Sequence, residues 1–236
     1  MRNIINEISW SKYQQGKYDD AEVLLKQYLD KKKSDAIAIT TMSNLALVLD
    51  KQKRYIEAEV LHKQCLNVKK VKLGDSDACT LNTMNNYAMN LSEQGKYDEA
   101  QTVYEECIAK QRSALGKNHI DTIGTMGNLA YLYDTQGHHD KAQLLHEKCL
   151  SKKEALFGAN HVSTLHTLNN LGWSYEKQGR LSEAQKIYKT CFESRKIILG
   201  SSHPDTVQTM RNLARTMFSQ GIVSDEFLNL FKQLEK

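Results

Sequence analysis

The residue types that most often carry chemistry recur in this chain at one spacing. Cys65, Cys107, Cys149 and Cys191 stand 42 residues apart, and so do His119, His161 and His203. Thiolates and imidazoles are common zinc ligands, and paired thiols can form disulfides. Neither chemistry suits this spacing. No two cysteines fall in the C-x-x-C pattern of a zinc site. Equivalent positions on successive packed helices lie about 8–10 Å apart, beyond the α-carbon separation of about 7 Å that a disulfide tolerates. The four periodic cysteines are therefore expected as small buried apolar residues at helix contacts. Cys79, at a helix start, is expected as the exposed thiol. Five unpaired cysteines fit a reducing compartment. The periodic histidines are expected to cap and pack turns, and His138-His139 reads as surface variation. No metal and no cofactor is expected.

Catalysis has no visible apparatus. The chain has no Gly-rich phosphate loop, no nucleophile elbow and no His-Glu-x-x-His helix. Glu93, Glu105, Glu106 and Glu147 read as solvated helix faces. An enzyme is not expected. The constellation with more promise is Asn44, Asn86, Asn128, Asn170 and Asn212, again at the 42-residue period. Asparagine offers both a donor and an acceptor, so it can pair with a peptide group whatever the side chain. Its helix propensity is poor, so five copies in helix interiors need a reason. That reason is either a partner's backbone or a neighbouring helix in the stack.

The elements that hold these residues follow from the same period, which Gly74, Gly116, Gly158 and Gly200 also keep, as do Gly95, Gly137, Gly179 and Gly221. Leu165, Leu168, Leu171 and Tyr175 make the apolar stripe of an amphipathic helix, opened by Ser163 or Thr164 as an N-cap. Gln178-Gly179-Arg180 breaks that helix. Ala184, Ile187, Tyr188 and Cys191 line a second helix, and Ile197, Ile198 and Leu199 extend it to Gly200. Such a hairpin cannot bury its face alone, and stacked copies bury a continuous core. Hydrophobic residues make up 40% of the chain and a single proline, Pro204, interrupts it, which suits an all-α fold. The net charge of +4 is too mild to imply nucleic acid or membrane. No stretch approaches a membrane span and the start does not read as a secretory signal, so the expected compartment is cytoplasmic.

The run Asn170-Leu171-Gly172, Tyr175, Gly179, Ala184, Tyr188, Cys191 resembles the tetratricopeptide repeat (TPR) signature. The 42-residue period, the His203-Pro204-Asp205-Thr206 opening and the leucine-glycine ending resemble the long-repeat subgroup of kinesin light chains. The resemblance implies an all-α, right-handed superhelical solenoid of about six hairpins. They would form one array over 1–236, with hairpins at about 1–33, 34–74, 75–116, 117–158, 159–200 and 201–236. The ends depart from the pattern. The first hairpin, around Gln15-Gly16, is offset by 37 residues from the next, with a shorter linker at Lys31-Lys32-Lys33. In the last, Glu226 replaces the alanine, and Phe227, Leu230, Phe231 and Leu234 give that helix its own stripe.

In TPR proteins the first helices line a concave groove, and the asparagine at this position bonds the backbone of an extended peptide. By resemblance, then, the site is Asn44, Asn86, Asn128, Asn170 and Asn212. Helical spacing adds Asn85, Met89, Tyr131, Asn169, Trp173, Lys177, Arg211 and Arg215 as neighbours on that face. Gly124 and Gly127 would leave a bare patch beneath Tyr131, and Trp173 could anchor a partner side chain. Lys177, Arg211 and Arg215 make the far end basic, with Asp50 and Glu7 at the other. The expected function is a protein–protein interaction module, an adaptor or scaffold, holding a peptide with aromatic and acidic residues in the manner of kinesin light chains. The alternative is a spacer or self-association array within a larger protein. RNA binding by pentatricopeptide-like repeats is disfavoured by the near-neutral charge.

Overall fold

The periodic stripes form helices. The computed structural model describes residues 4–31 and 36–224, and among them there is no strand. The helices are α1 (Ile4–Gln14), α2 (Tyr18–Lys31), α3 (Ala36–Lys51), α4 (Tyr55–Leu73), α5 (Ala78–Glu93), α6 (Tyr97–Ala114), α7 (Ile120–Thr135), α8 (His139–Phe157), α9 (Val162–Lys177), α10 (Leu181–Leu199) and α11 (Pro204–Ser219). The stripe Phe227, Leu230, Phe231 and Leu234, with Glu226, lies outside the described residues, as do Lys32 and Lys33. The chain divides into two compact units, within residues 1–125 and 126–236, and the division falls inside α7. In the first unit each helix packs on the next, from α1 through α6. In the second, α8 packs on α9, α9 on α10, and α10 on α11. Neighbour-to-neighbour packing of this kind is the solenoid logic that the period predicts.

The periodic histidines cap helix starts, as expected, but the hydroxyl cap expected for α9 does not form. The cap of α9 is neither Ser163 nor Thr164. His161 Nδ1 accepts from the Ser163 N–H at 3.1 Å. His119 and His203 do the same for Asp121 and Asp205, each at 3.2 Å, and Asp77 does it with a carboxylate for Cys79. An imidazole acceptor thus replaces the usual hydroxyl or carboxylate cap oxygen. Thr164 instead donates to the Gly158 carbonyl, as Thr122 does to Gly116. Between the helices of a hairpin, Gly95, Gly137 and Gly179 take φ of 77°, 81° and 75°. Lys53 stands at the same repeat position with φ 61°, a left-handed conformation that costs a residue with a Cβ about 1 kcal/mol.

Small residues set the distance between helices. Ala58, Ala100, Ala142 and Ala184 are all completely buried. Ala58 packs with Leu25, Leu45 and Leu49, and Ala184 with Tyr188, Met210 and Leu213. Cys65, Cys107, Cys149 and Cys191 are buried free thiols, and Cys79 is exposed. The thiols of Cys107 and Cys191 reach the carbonyls of Leu81 and Leu165, each at 3.3 Å. They fill the apolar role that their period suggests.

Polar groups are buried at fixed places in the repeat. Asp50, near the end of α3, accepts from His62 Nε2 of α4 at 2.8 Å and from Asn90 Nδ2 of α5 at 2.7 Å. Asp134, at the equivalent position of α7, meets His146 Nε2 at 3.2 Å, His139 Nδ1 at 2.9 Å and the Ser174 hydroxyl of α9 at 2.7 Å. One acid thereby ties its own hairpin to the first helix of the next. Asp50 is therefore a clamp inside the stack, and it also lines the cavity that Met89 lines. A second set is cationic. Lys153 Nζ donates to Thr167 Oγ1 at 2.8 Å, and Arg195 Nη1 to Thr209 Oγ1 at 2.7 Å. Lys153 is only 9% exposed, and among the described residues it has no carboxylate partner.

Two stability predictions follow from these buried groups. Asp50→Ala strands the buried donors of His62 and Asn90, and unmade buried hydrogen bonds cost about 1–3 kcal/mol each. Urea denaturation should register a loss of about 3 kcal/mol. An Asp50→Ala protein as stable as the parent would show that the clamp contributes nothing. Lys153 gives the opposite sign. Burial holds its ammonium below the ordinary lysine range, so the unfolded chain binds that proton more tightly than the folded one. Its contribution to stability rises with pH between the folded value and the ordinary one of about 10.4. Lys153→Met should be more stable than the parent by about 1 kcal/mol at pH 7. The difference should narrow as pH climbs toward 10. Denaturation midpoints across that range test both statements.

Candidate functional site

The candidate residues all lie on the first helices of hairpins. Asn44 is on α3, and Asn85, Asn86 and Met89 are on α5. Asn128 and Tyr131 are on α7, and Asn169, Asn170, Trp173 and Lys177 on α9. Arg211, Asn212 and Arg215 are on α11. In the first unit, Asn44 and Asn86 both line one cavity of about 380 Å³, walled by Ile39, Leu47 and Leu73 and floored by Lys69. The Lys69 ammonium is held there by Thr83 Oγ1 at 2.7 Å and Ser43 Oγ at 3.2 Å. Met89 lines a different, smaller cavity with Tyr13, Tyr55 and Glu93.

The second unit brings together Tyr131, Trp173 and Lys177. They line a cavity of about 460 Å³ with Asp134, Thr135 and His139. Tyr131 is 55% exposed, unusual for so large a ring. Trp173 is half-buried. Two cations lie against its indole, with Lys177 Nζ 4.3 Å and the Arg215 guanidinium 5.2 Å from the ring centroid. Such contacts are attractive because the ring face is electron-rich. A Cβ built on Gly127 would meet nothing within 4 Å, so the first-helix surface one turn before Tyr131 is open.

The asparagines do not share one environment. Asn44 and Asn170 are half-buried, and their side chains hold no hydrogen bond among the described residues. Asn86 Oδ1 accepts weakly from Asn85 at 3.4 Å. Asn212 is only 4% exposed. It donates to Asn169 Oδ1 at 3.3 Å, while its own oxygen takes Gln208 and Arg215. Asn169 also accepts from Thr209. At this pair the asparagines join α9 to α11, the stack-organising role that the sequence left open. Arg211 is exposed, and it is Arg215 that covers the indole.

Glu176 was invisible as a site residue in the sequence. Both its carboxylate oxygens engage Arg215, at 2.7 and 2.9 Å, and the buried Tyr188 hydroxyl donates to it at 3.1 Å. Burial, with the Glu176 charge beside it, pushes the Tyr188 phenol well above the ordinary tyrosine range, so it stays a donor. Bonds to Glu176 raise the Arg215 guanidinium further still. Glu176 lies 42 residues after Asp134, and Tyr188 42 after His146. A search for acids at the clamp position would have found it.

A family model described as tetratricopeptide repeat matches residues 37–113 and 79–155, and a second of the same description matches 164–205. A search of the curated proteins gives no match. Among solved structures, the chain is similar to the nearly identical TPR-like repeats of a candidate kinesin light chain from Podosopora anserina. The identity is 22% over 84% of this chain and 92% of that one, with a TM-score of 0.72. It is also similar to BtubC (BKLC) from P. vanneervenii, at 19% identity over 95% and 86% of the two chains and a TM-score of 0.70. A third is the apo form of the quorum sensor NprR from B. thuringiensis, at 18% identity over 98% and 62% and a TM-score of 0.74.

The ring of Tyr188 packs directly on the backbone of α9 at Gly172. A Cβ added there would lie 2.7 Å from Tyr188 Cε1. Alanine normally improves a helix interior by about 1 kcal/mol over glycine, but overpacking costs about 1–3 kcal/mol. Gly172→Ala should therefore destabilise the protein by about 1 kcal/mol net, measured by urea denaturation. A gain in stability would mean that the ring moves aside at no cost.

Proposed function

The chain belongs to the tetratricopeptide repeat family, whose arrays serve protein–protein interaction, and on that premise we propose that it is an adaptor or scaffold module. It holds an extended segment of a partner against the first helices of its hairpins. The observation that carries the proposal is the second-unit cavity. An exposed Tyr131 and a half-buried Trp173 face the same space, and Lys177 and Arg215 flank the indole. Aromatic rings beside cations suit a partner segment that joins apolar or aromatic side chains to acids. Asn170 and Asn128 on the same helices are placed to meet its backbone, and Asn44 and Asn86 offer a comparable pair in the first unit. Asn169 and Asn212 are better read as stack-organising residues, because they bond each other. No helix among the described residues is long and apolar enough to cross a membrane.

The partner segment is approximated by a fluorescein-labelled acidic octapeptide, Gly-Ser-Glu-Tyr-Asp-Glu-Gly-Ser, with a neutral counterpart carrying Gln and Asn. Fluorescence anisotropy should find the acidic peptide bound in preference to the neutral one. Trp173→Ala should weaken that binding at least tenfold, the loss of about 1.4 kcal/mol or more expected at a central aromatic anchor. Adding Asn170→Ala should weaken it further. Undiminished binding by a folded Trp173→Ala protein would remove the cavity from the proposal.

A further inference from the structure

The second-unit site contains an acid of its own. Glu176 occupies the repeat position of Asp50 and Asp134, where an acid bridges its own hairpin to the first helix of the next. At Asp50 and Asp134 the bridging donors on that helix are neutral, Asn90 and Ser174, and the bonds are internal. At Glu176 the donor is the guanidinium of Arg215, whose side chain is 45% exposed while that of Glu176 is 12% exposed. This bond is a fork, with Nε and Nη2 each donating to one carboxylate oxygen. A carboxylate from outside could take the same fork in the same geometry. Lys177, exposed and likewise against the indole, has no carboxylate partner among the described residues.

We propose that Glu176 is an internal competitor for the partner's acid. It holds Arg215 in the geometry that a carboxylate binds, and an acidic side chain of the partner takes its place beside Trp173, drawn there by Lys177. This inference rests on the reading of Trp173 as a partner site and adds a specificity-determining residue to it. Arg215 and Lys177 both lie against the indole, so the group that binds beside the ring is an anion, and any aromatic residue of the partner goes to Tyr131. The competitor raises the requirement on the partner. A single weak acid does not displace Glu176, and clustered acids do.

The test is Glu176→Gln. The Tyr188 hydroxyl keeps an acceptor in the glutamine, so the packing survives while the competing charge is lost. In a Trp10→Phe background Trp173 is the sole tryptophan, and its quenching by iodide reads anion access without any partner. Glu176→Gln should raise the iodide quenching constant about twofold and leave quenching by neutral acrylamide unchanged. Its affinity for the acidic octapeptide should rise about threefold to tenfold, with no gain for the neutral counterpart. An unchanged iodide constant, or weaker binding of the acidic peptide, overturns the competitor. A rise with iodide and no binding of either peptide to the parent overturns the partner site at Trp173 and leaves Glu176 as a competitor for anions.

Discussion

Both units depend on how closely a hairpin's second helix can approach the first helices on either side of it. In each unit that approach is set by alanines that are fully buried, Ala58 and Ala100 in the first and Ala142 and Ala184 in the second. A larger side chain there would push the helices apart, and the stripes of leucine and methionine would lose contact together. The cysteines seven residues later, about two turns on, are buried as well. No hairpin buries its stripe alone, so the stability of each is that of its interfaces with its neighbours.

Apolar stripes alone would let adjacent hairpins slide, because apolar contact has no direction. The buried acids supply the register. Asp50 joins α3, α4 and α5 by bonds that only one alignment satisfies, and Asp134 does the same for α7, α8 and α9. A shift would strand several buried polar groups at once, at about 1–3 kcal/mol each. Where the partner ring is histidine the acid is aspartate, and where it is Tyr188 the acid is the longer Glu176. The third hairpin does without the acid. Ser92 occupies that position, and Tyr104 is buried all the same. Burial pushes the Tyr104 phenol well above its ordinary value. The clamp thus alternates in chemistry while the packing around it stays constant.

The sequence made the helices, their order and the burial of the cysteines legible, because a repeat multiplies every weak local signal. It also made clear that the periodic histidines belong to turns. Several side-chain roles were not legible. Asp50 and Asp134 look like ordinary helix acids until they are paired with residues 12 and 40 positions away, His62 with Asn90 and His146 with Ser174. The signal was present as a spacing of 84, two repeats, between Asp50 and Asp134 and between His62 and His146. A search at the single period passes over it. Asn212 was indistinguishable from Asn170 by position, yet it is buried against Asn169. What separates them is the neighbour on the adjoining first helix, which is tertiary information.

In a repeat fold, a binding site need not be added to the scaffold, because it can arise where a structural bond is made with a releasable partner. At Asp50 and Asp134 the bond to the next hairpin comes from a neutral side chain, Asn90 or Ser174. At Glu176 the same position meets an exposed guanidinium. Arginine is always charged, presents a planar fork and stacks on aromatic rings, so it can exchange one carboxylate for another without leaving Trp173. Glu176 itself is only 12% exposed, so when Arg215 turns to a different acid the cost falls on this carboxylate, which keeps the Tyr188 hydroxyl as its donor. The exposure of Arg215 is what sets this clamp apart from the other two. The repeat position is the same in all three hairpins, and what differs is the exposure and charge of the donor on the next first helix.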